Sequence, residues 1–242
     1  MSRMLTKTTF TIGLLVMLMA VPALGATVNK SVKIAPGTEA DGASSVNGSI
    51  SVGEDAVVTG NVKTVNGTIR VDAGARIQKA STVNGGVRIA EKVSSESLST
   101  VNGSVKVGND ATVDGEVSAV NGRITIENGA TVSDDVSNVN GQMDFTGAEI
   151  GGNVKTVNGD ISLDDGSVIK GDLVVEKPGG WGWGKSRQRK PRIVIGRNSR
   201  VEGTIELERE VELFVHESAR VGDVEGKMSM DDVVRFSGDR PD

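Results

Sequence analysis

Two adjacent carboxylate pairs, Asp134-Asp135 and Asp164-Asp165, are the side chains best suited to acid–base work in this sequence. Such a pair can cleave a glycosidic bond, one group acting as acid and the other as base. Neighbours along a strand point to opposite faces, however, and no aromatic groove accompanies either pair. The one histidine, His216, cannot build a multi-histidine metal centre; it falls on the outward parity between Val215 and Glu217 and reads as a surface residue. With no cysteine there is no thiolate nucleophile, disulfide or zinc–cysteine site. The Gly-Gly-x-Gly-x-Asp calcium nonapeptide is missing too. The expectation is a non-enzymatic chain with no cofactor and no metal.

Binding chemistry is concentrated in residues 176–192. This segment holds both tryptophans, Trp181 and Trp183, two of the five prolines, and six basic residues: Lys177, Lys185, Arg187, Arg189, Lys190 and Arg192. Tryptophan beside arginine is the composition of binding hot spots. The indoles suit sugar faces, and the cations suit phosphate or carboxylate groups of an envelope polymer. The other reading is an insertion whose tryptophans fold back onto the body of the protein. A second basic feature is a column of Arg70, Arg88 and Lys106 on one outward face. Stacked like charges repel, so either an anionic ligand relieves them or they are solvated and flanked by acids.

The elements that position these residues follow from a repeat. Val-Asn-Gly occurs seven times, with asparagines at Asn47, Asn66, Asn84, Asn102, Asn121, Asn140 and Asn158, spaced by 18 or 19 residues. Val28-Asn29-Lys30 is a degenerate earlier copy. Apolar residues alternate within each copy: Val46, Ile50, Val52, Ala56, Val58 and Val62 share one parity, as do Val101, Val105, Val107, Ala111, Val113 and Val117. That is the period of strands with one buried face. Glycine and Asx residues interrupt it at set points, as turns do.

The 242 residues include 32 glycines, 36 valines, no tyrosine and only six aromatics. β-Branched side chains favour strands. A hairpin meander with Asn-Gly turns would leave a wide one-sided sheet with nothing to cover it. Coils of equal length stacked in parallel place like on like around a narrow valine tube, which explains the scarcity of large aromatics. The predicted fold is therefore an all-β parallel solenoid of about ten coils, about 45–50 Å long. The asparagines should stack coil on coil, tolerating the left-handed conformation and bonding to backbone or to one another, as in Asn ladders. A repeated ligand-binding row is the functional alternative.

Residues 1–25 read as a secretory signal peptide: Arg3 and Lys7, then an apolar run from Phe10 to Val21, then small residues with cleavage after Gly25 or Ala26. The run is too short for a comfortable membrane span. The regular solenoid is expected over 26–175, the basic loop over 176–192, further coils over 193–238 and a tail over 239–242. The formal net charge of −5 argues against nucleic acid as a partner.

The segments Gly-Asn-Asp-Ala-Thr-Val-Asp-Gly-Glu-Val from Gly108 and Gly-Glu-Asp-Ala-Val-Val-Thr-Gly-Asn-Val from Gly53 resemble coils of the bactofilins, the polymer-forming cytoskeletal family of bacteria. The Val-Asn-Gly copies also resemble β-strand repeats of bacterial surface adhesins. Either resemblance covers 28–175 well and 193–236 loosely. The bactofilin resemblance implies a right-handed β-helix able to assemble end to end, with no catalytic residues to carry over. Bactofilins work in the cytoplasm, whereas this chain begins with an export signal. The function expected is a structural or adhesin-like protein of the envelope, periplasmic or at the cell surface. Its expected partners are further copies of itself, or an envelope glycan or protein.

Overall fold

A computed structural model describes residues 28–178 and 189–241. Residues 1–25, read above as an export signal, lie outside them. The described chain winds as about ten coils in which every strand pairing is parallel.

One face is an eleven-stranded sheet that gains one strand per coil. It starts at Val32–Ile34, Ile50–Val52 and Ile69–Val71 and ends at Arg192–Ile195, Glu212–His216 and Val234–Phe236. Its register places Ile50 on Ile69, then Val87, Val105 and Ile124, so the tube is filled by like residues stacked on like. The remaining strands form two further ladders. In two coils these are joined into single nine-residue strands, Arg76–Asn84 and Ser94–Asn102.

The interior is narrow, lined by valine, isoleucine and leucine, with a small residue at one corner in most coils: Ala56, Ala75, Ala111, Ala130, Ala148, Ser167, Ser199 and Ala219. Burying this apolar surface is the main favourable term holding the coils together. The tube nonetheless accepts Phe145, which is fully buried between Ile126 and Leu163 in register.

Two expectations need correction. The valines of Val-Asn-Gly do not point inward: Val46, Val65, Val83, Val101, Val120 and Val139 are half-buried on the outer surface, and only Val157 is buried. The inward side chain is the residue before each valine, namely Ser45, Thr64, Thr82, Thr100, Ala119, Asn138 or Thr156. The hydroxyls belong inside because a carbonyl awaits them. Thr64, Thr82 and Thr100 donate to the carbonyls of Gly48, Gly67 and Gly85 in the preceding coil at 2.8, 3.0 and 2.8 Å.

The second correction concerns the left-handed residues. Among the repeat asparagines only Asn29 has positive φ, 58°. The left-handed positions fall at the other corner, on Asp55, Lys92, Asp110, Asp165 and Asn198. In the Asn-Gly corner, glycine is needed for close approach instead. A Cβ on Gly85 or Gly103 would overlap the carbonyl oxygen of the glycine one coil before, Gly67 or Gly85.

Candidate functional site: the asparagine edge and the loop base

The asparagines form one continuous edge. Each side-chain amide donates from Nδ2 to Oδ1 of the asparagine one coil earlier: Asn47 to Asn29 at 2.6 Å, Asn66 to Asn47 at 2.7 Å and Asn84 to Asn66 at 2.8 Å. It continues through Asn102, Asn121, Asn140 and Asn158 at 3.0, 3.0, 2.8 and 3.0 Å. All seven bonds run the same way, so the amide dipoles add head to tail. The oxygen end of the row lies at Asn158.

That end is closed by a residue the repeat did not announce. Arg209 donates from Nη1 to Asn158 Oδ1 at 2.7 Å and to the Val157 carbonyl at 3.1 Å. Register explains the meeting. Thr156, Val175 and Leu207 are paired in succession, so Lys177 and Arg209 occupy the asparagine position in the next two coils. A cation there complements the negative end of an aligned row of dipoles, as one does at the end of a helix. The clue in the sequence was the ladder position itself, read one coil beyond the insertion.

The insertion sits at this same corner. Leu173–Val175 is the last strand before it and Arg192–Ile195 the first after it, so Arg192 belongs to a strand rather than to the loop. Both stems are held. The Lys177 backbone N–H donates to Glu208, and Arg189 and the Arg192 N–H both donate to Asp160, at 2.6 and 2.8 Å. Lys190 pairs with Glu210 at 2.8 Å, holding that carboxyl below its usual range. Arg209 Nη2 donates to the Arg189 carbonyl. Burial, with Glu208 nearby, raises the Glu176 carboxyl. Trp181, Trp183, Lys185 and Arg187 lie outside the described residues.

The two carboxylate pairs lie apart: Asp164 and Asp165 line a groove with Asp144 and Asp160, and Asp134 and Asp135 do not. Burial opposes ionisation of Asp135, but Lys155 at 2.5 Å and the amide groups of Asn153 outweigh it and hold the carboxyl low. Asp164 accepts from Ser162, and Asp165 takes a left-handed turn position. His216 is not a surface residue. It is 5% exposed, packs edge-on against Phe236, and its Nδ1 accepts the Ser218 N–H. The final strand, Val234–Phe236, is what covers it.

Arg70, Arg88 and Lys106 do stack in one outward column. Further along the same face Asp144, Asp160 and Asp164 line a groove of about 690 Å³, crossed by residues 239–241. Arg197 pairs with Asp239, and Arg192, lying over the Phe214 ring at 4.5 Å, donates to the Pro241 carbonyl. Burial raises the Asp144 carboxyl, with Asp160 and Asp164 adding to it and Arg123 opposing.

Among the described residues no cluster of three metal-ligating side chains occurs, and no helix is long and apolar enough to cross a membrane. In comparisons with known proteins, no family model, no curated protein and no solved structure matches the chain. What the geometry defines is a parallel β-solenoid with a capped amide edge.

Proposed function

We propose that this chain is a non-enzymatic structural protein of a bacterial envelope, exported by its first 25 residues and able to associate with further copies. The observation that carries this reading is the uninterrupted amide ladder from Asn29 to Asn158, capped by Arg209. Seven aligned inter-coil bonds along one edge, beside three parallel strand ladders, favour a stiff rod. One of the candidate acids, Asp135, is tied to Lys155 of the next coil. The outer strands of a solenoid stack also offer backbone groups to another copy, as sheet edges do.

Fractionation of cells expressing the chain, followed by electron microscopy of the purified protein, tests this reading. Export with assemblies longer than one rod supports it. A cytoplasmic protein that stays a single short rod overturns it.

A second reading has its own support: an envelope glycan or protein bound through Trp181 and Trp183. The base of their loop is pinned on both stems, by Glu208 on one side and by Asp160, Glu210 and Arg209 on the other. A pinned base reduces the entropy a binding loop loses on engagement. Replacing both tryptophans by alanine abolishes binding to cell-wall material on this reading; unchanged binding rejects it.

A further inference from the structure

Several cations on this rod pair with an acid in a neighbouring coil. Lys79 pairs with Glu96, Lys155 with Asp135, Lys170 with Glu149 and Lys190 with Glu210. Arg70 and Arg88 do not, a state they share among the described residues with other cations such as Lys63 and Arg76, but these two face each other. Both are exposed, they are direct register partners in adjacent strands, and neither has an ion pair among the described residues. Lys106 continues the column and reaches Glu127 at its far side, at 2.6 Å. Adjacent strands lie about 4.8 Å apart, so three positive charges stand in single file where like charges directly opposite destabilise a sheet.

Their surroundings are small and nearly neutral. Two residues away along the chain, Arg88 is flanked by Gly86 and Ala90, and Lys106 by Ser104 and Gly108. Arg70 has Thr68 on one side and Asp72 on the other. Nothing bulky rises above the row, so the face is flat and open. Round the corner runs the amide ladder. An asparagine amide has two N–H donors and an oxygen with two lone pairs, and the ladder uses one of each. Asn66, Asn84 and Asn102 therefore each keep one donor and one acceptor, repeating once per coil beside the cations.

We propose that the strip bearing Arg70, Arg88 and Lys106, edged by Asn66, Asn84 and Asn102, docks a linear acidic polysaccharide lying along the rod axis. Its carboxylate or sulfate groups meet the cation row, and its hydroxyls meet the spare amide groups. Charge sets the limits of the strip. Two coils beyond Lys106 the same face turns acidic at Asp144, then Asp160 and Asp164, which confines the ligand to the earlier coils. Nucleic acid fits poorly, because the strip offers no aromatic platform for bases. A membrane surface fits poorly, because no exposed apolar side chains flank the row. The strip does not depend on copies of the rod associating.

The test is binding of polygalacturonate to the full chain, with neutral dextran and single-stranded DNA alongside. The expected result is salt-sensitive binding to polygalacturonate and none to dextran. The double variant Arg70→Gln, Arg88→Gln should bind about tenfold more weakly, from two surface charges. Arg88→Lys should keep most of the affinity. Both positions are exposed and the change relieves a repulsion, so a melting temperature equal to or slightly above that of the wild type is expected to accompany the loss. Equal affinity in wild type and double variant overturns the proposal. DNA binding of equal strength with the same loss overturns it in favour of nucleic acid. A salt-sensitive dimer abolished by the double variant overturns it by assigning the strip to a second copy.

Discussion

Asn158 and Arg209, 51 residues apart in sequence, meet at 2.7 Å and close the amide ladder. The guanidinium satisfies the last amide oxygen, the Val157 carbonyl and the Arg189 carbonyl together. Arg209→Ala should therefore cost about 1–2 kcal/mol, since hydrogen bonds to a charged group exceed neutral ones. For a chain of this size that is roughly 2–4 °C of melting temperature per kcal/mol. Thermal unfolding by circular dichroism reads it. Protease sensitivity at the loop base should rise in the same variant, because the re-entry stem loses an anchor. Arg209→Ala with an unchanged melting temperature would show that the cap is ornamental.

Inside the ladder, charge is worse than loss. Asn102→Asp removes the donor to Asn84 Oδ1 and sets a carboxylate oxygen against it, while Asn121 still donates from the other side. A destabilisation of about 1–3 kcal/mol is expected near neutral pH. The new carboxyl would have its folded pKa raised, so the deficit should shrink as pH falls through that value and the protonated group regains a donor. A urea titration at two pH values checks both the size and the sign. A deficit independent of pH would argue against direct amide-to-amide bonding.

The glycine column separates close approach from backbone freedom. Gly103→Ala would drive a methyl group into the Gly85 carbonyl, so a loss of roughly 3 kcal/mol or failure to fold is expected. Gly37 has φ of +63° but open space around it, and Gly37→Ala should cost only about 1 kcal/mol. Comparable losses at the two sites would contradict this stacking of backbone on backbone.

The repeat period and strand alternation carried most of this architecture on the sequence alone: Ile50, Val52, Ala56, Val58 and Val62 all face the core. Alternation holds within a strand and breaks at a corner, which is why Val46 and Val101, inward by parity, lie outside and Ser45 and Thr100 lie inside. Hydropathy ranks valine above threonine for an interior. The hydroxyl wins because it satisfies a buried glycine carbonyl that no pattern displays. His216 was misread for a related reason: its cover comes from Val234–Phe236, after the regular repeat has ended. The asparagine row was legible as a stack, but its cap required register across an insertion. The basic column was legible as well; that two of its three cations have no acid required the neighbouring coils.

Two carboxyls give opposite pH signatures. Lys155 and Asn153 hold the Asp135 carboxyl below its usual value against the effect of burial. Its contribution is therefore present above the unfolded carboxyl range, about 3.9, and is lost as pH falls through the lower folded value. Lys155→Gln should bring acid unfolding to higher pH. Asp144 is shifted up, mainly by burial, so its ionisation weakens the fold above that value. Asp144→Asn should stabilise the chain at neutral pH, and the advantage should vanish below the unfolded carboxyl range. Acid titrations of the three proteins, followed by circular dichroism, decide the signs.

The structural reading stands most directly on association of rods. Sedimentation velocity of the chain lacking residues 1–25, over a wide range of protein concentration, measures shape and association in one experiment. The account predicts an elongated particle, from strands stacked at about 4.8 Å, whose sedimentation coefficient rises with concentration as copies associate. A single species of monomer mass, unchanged from the lowest concentration to the highest, would contradict it.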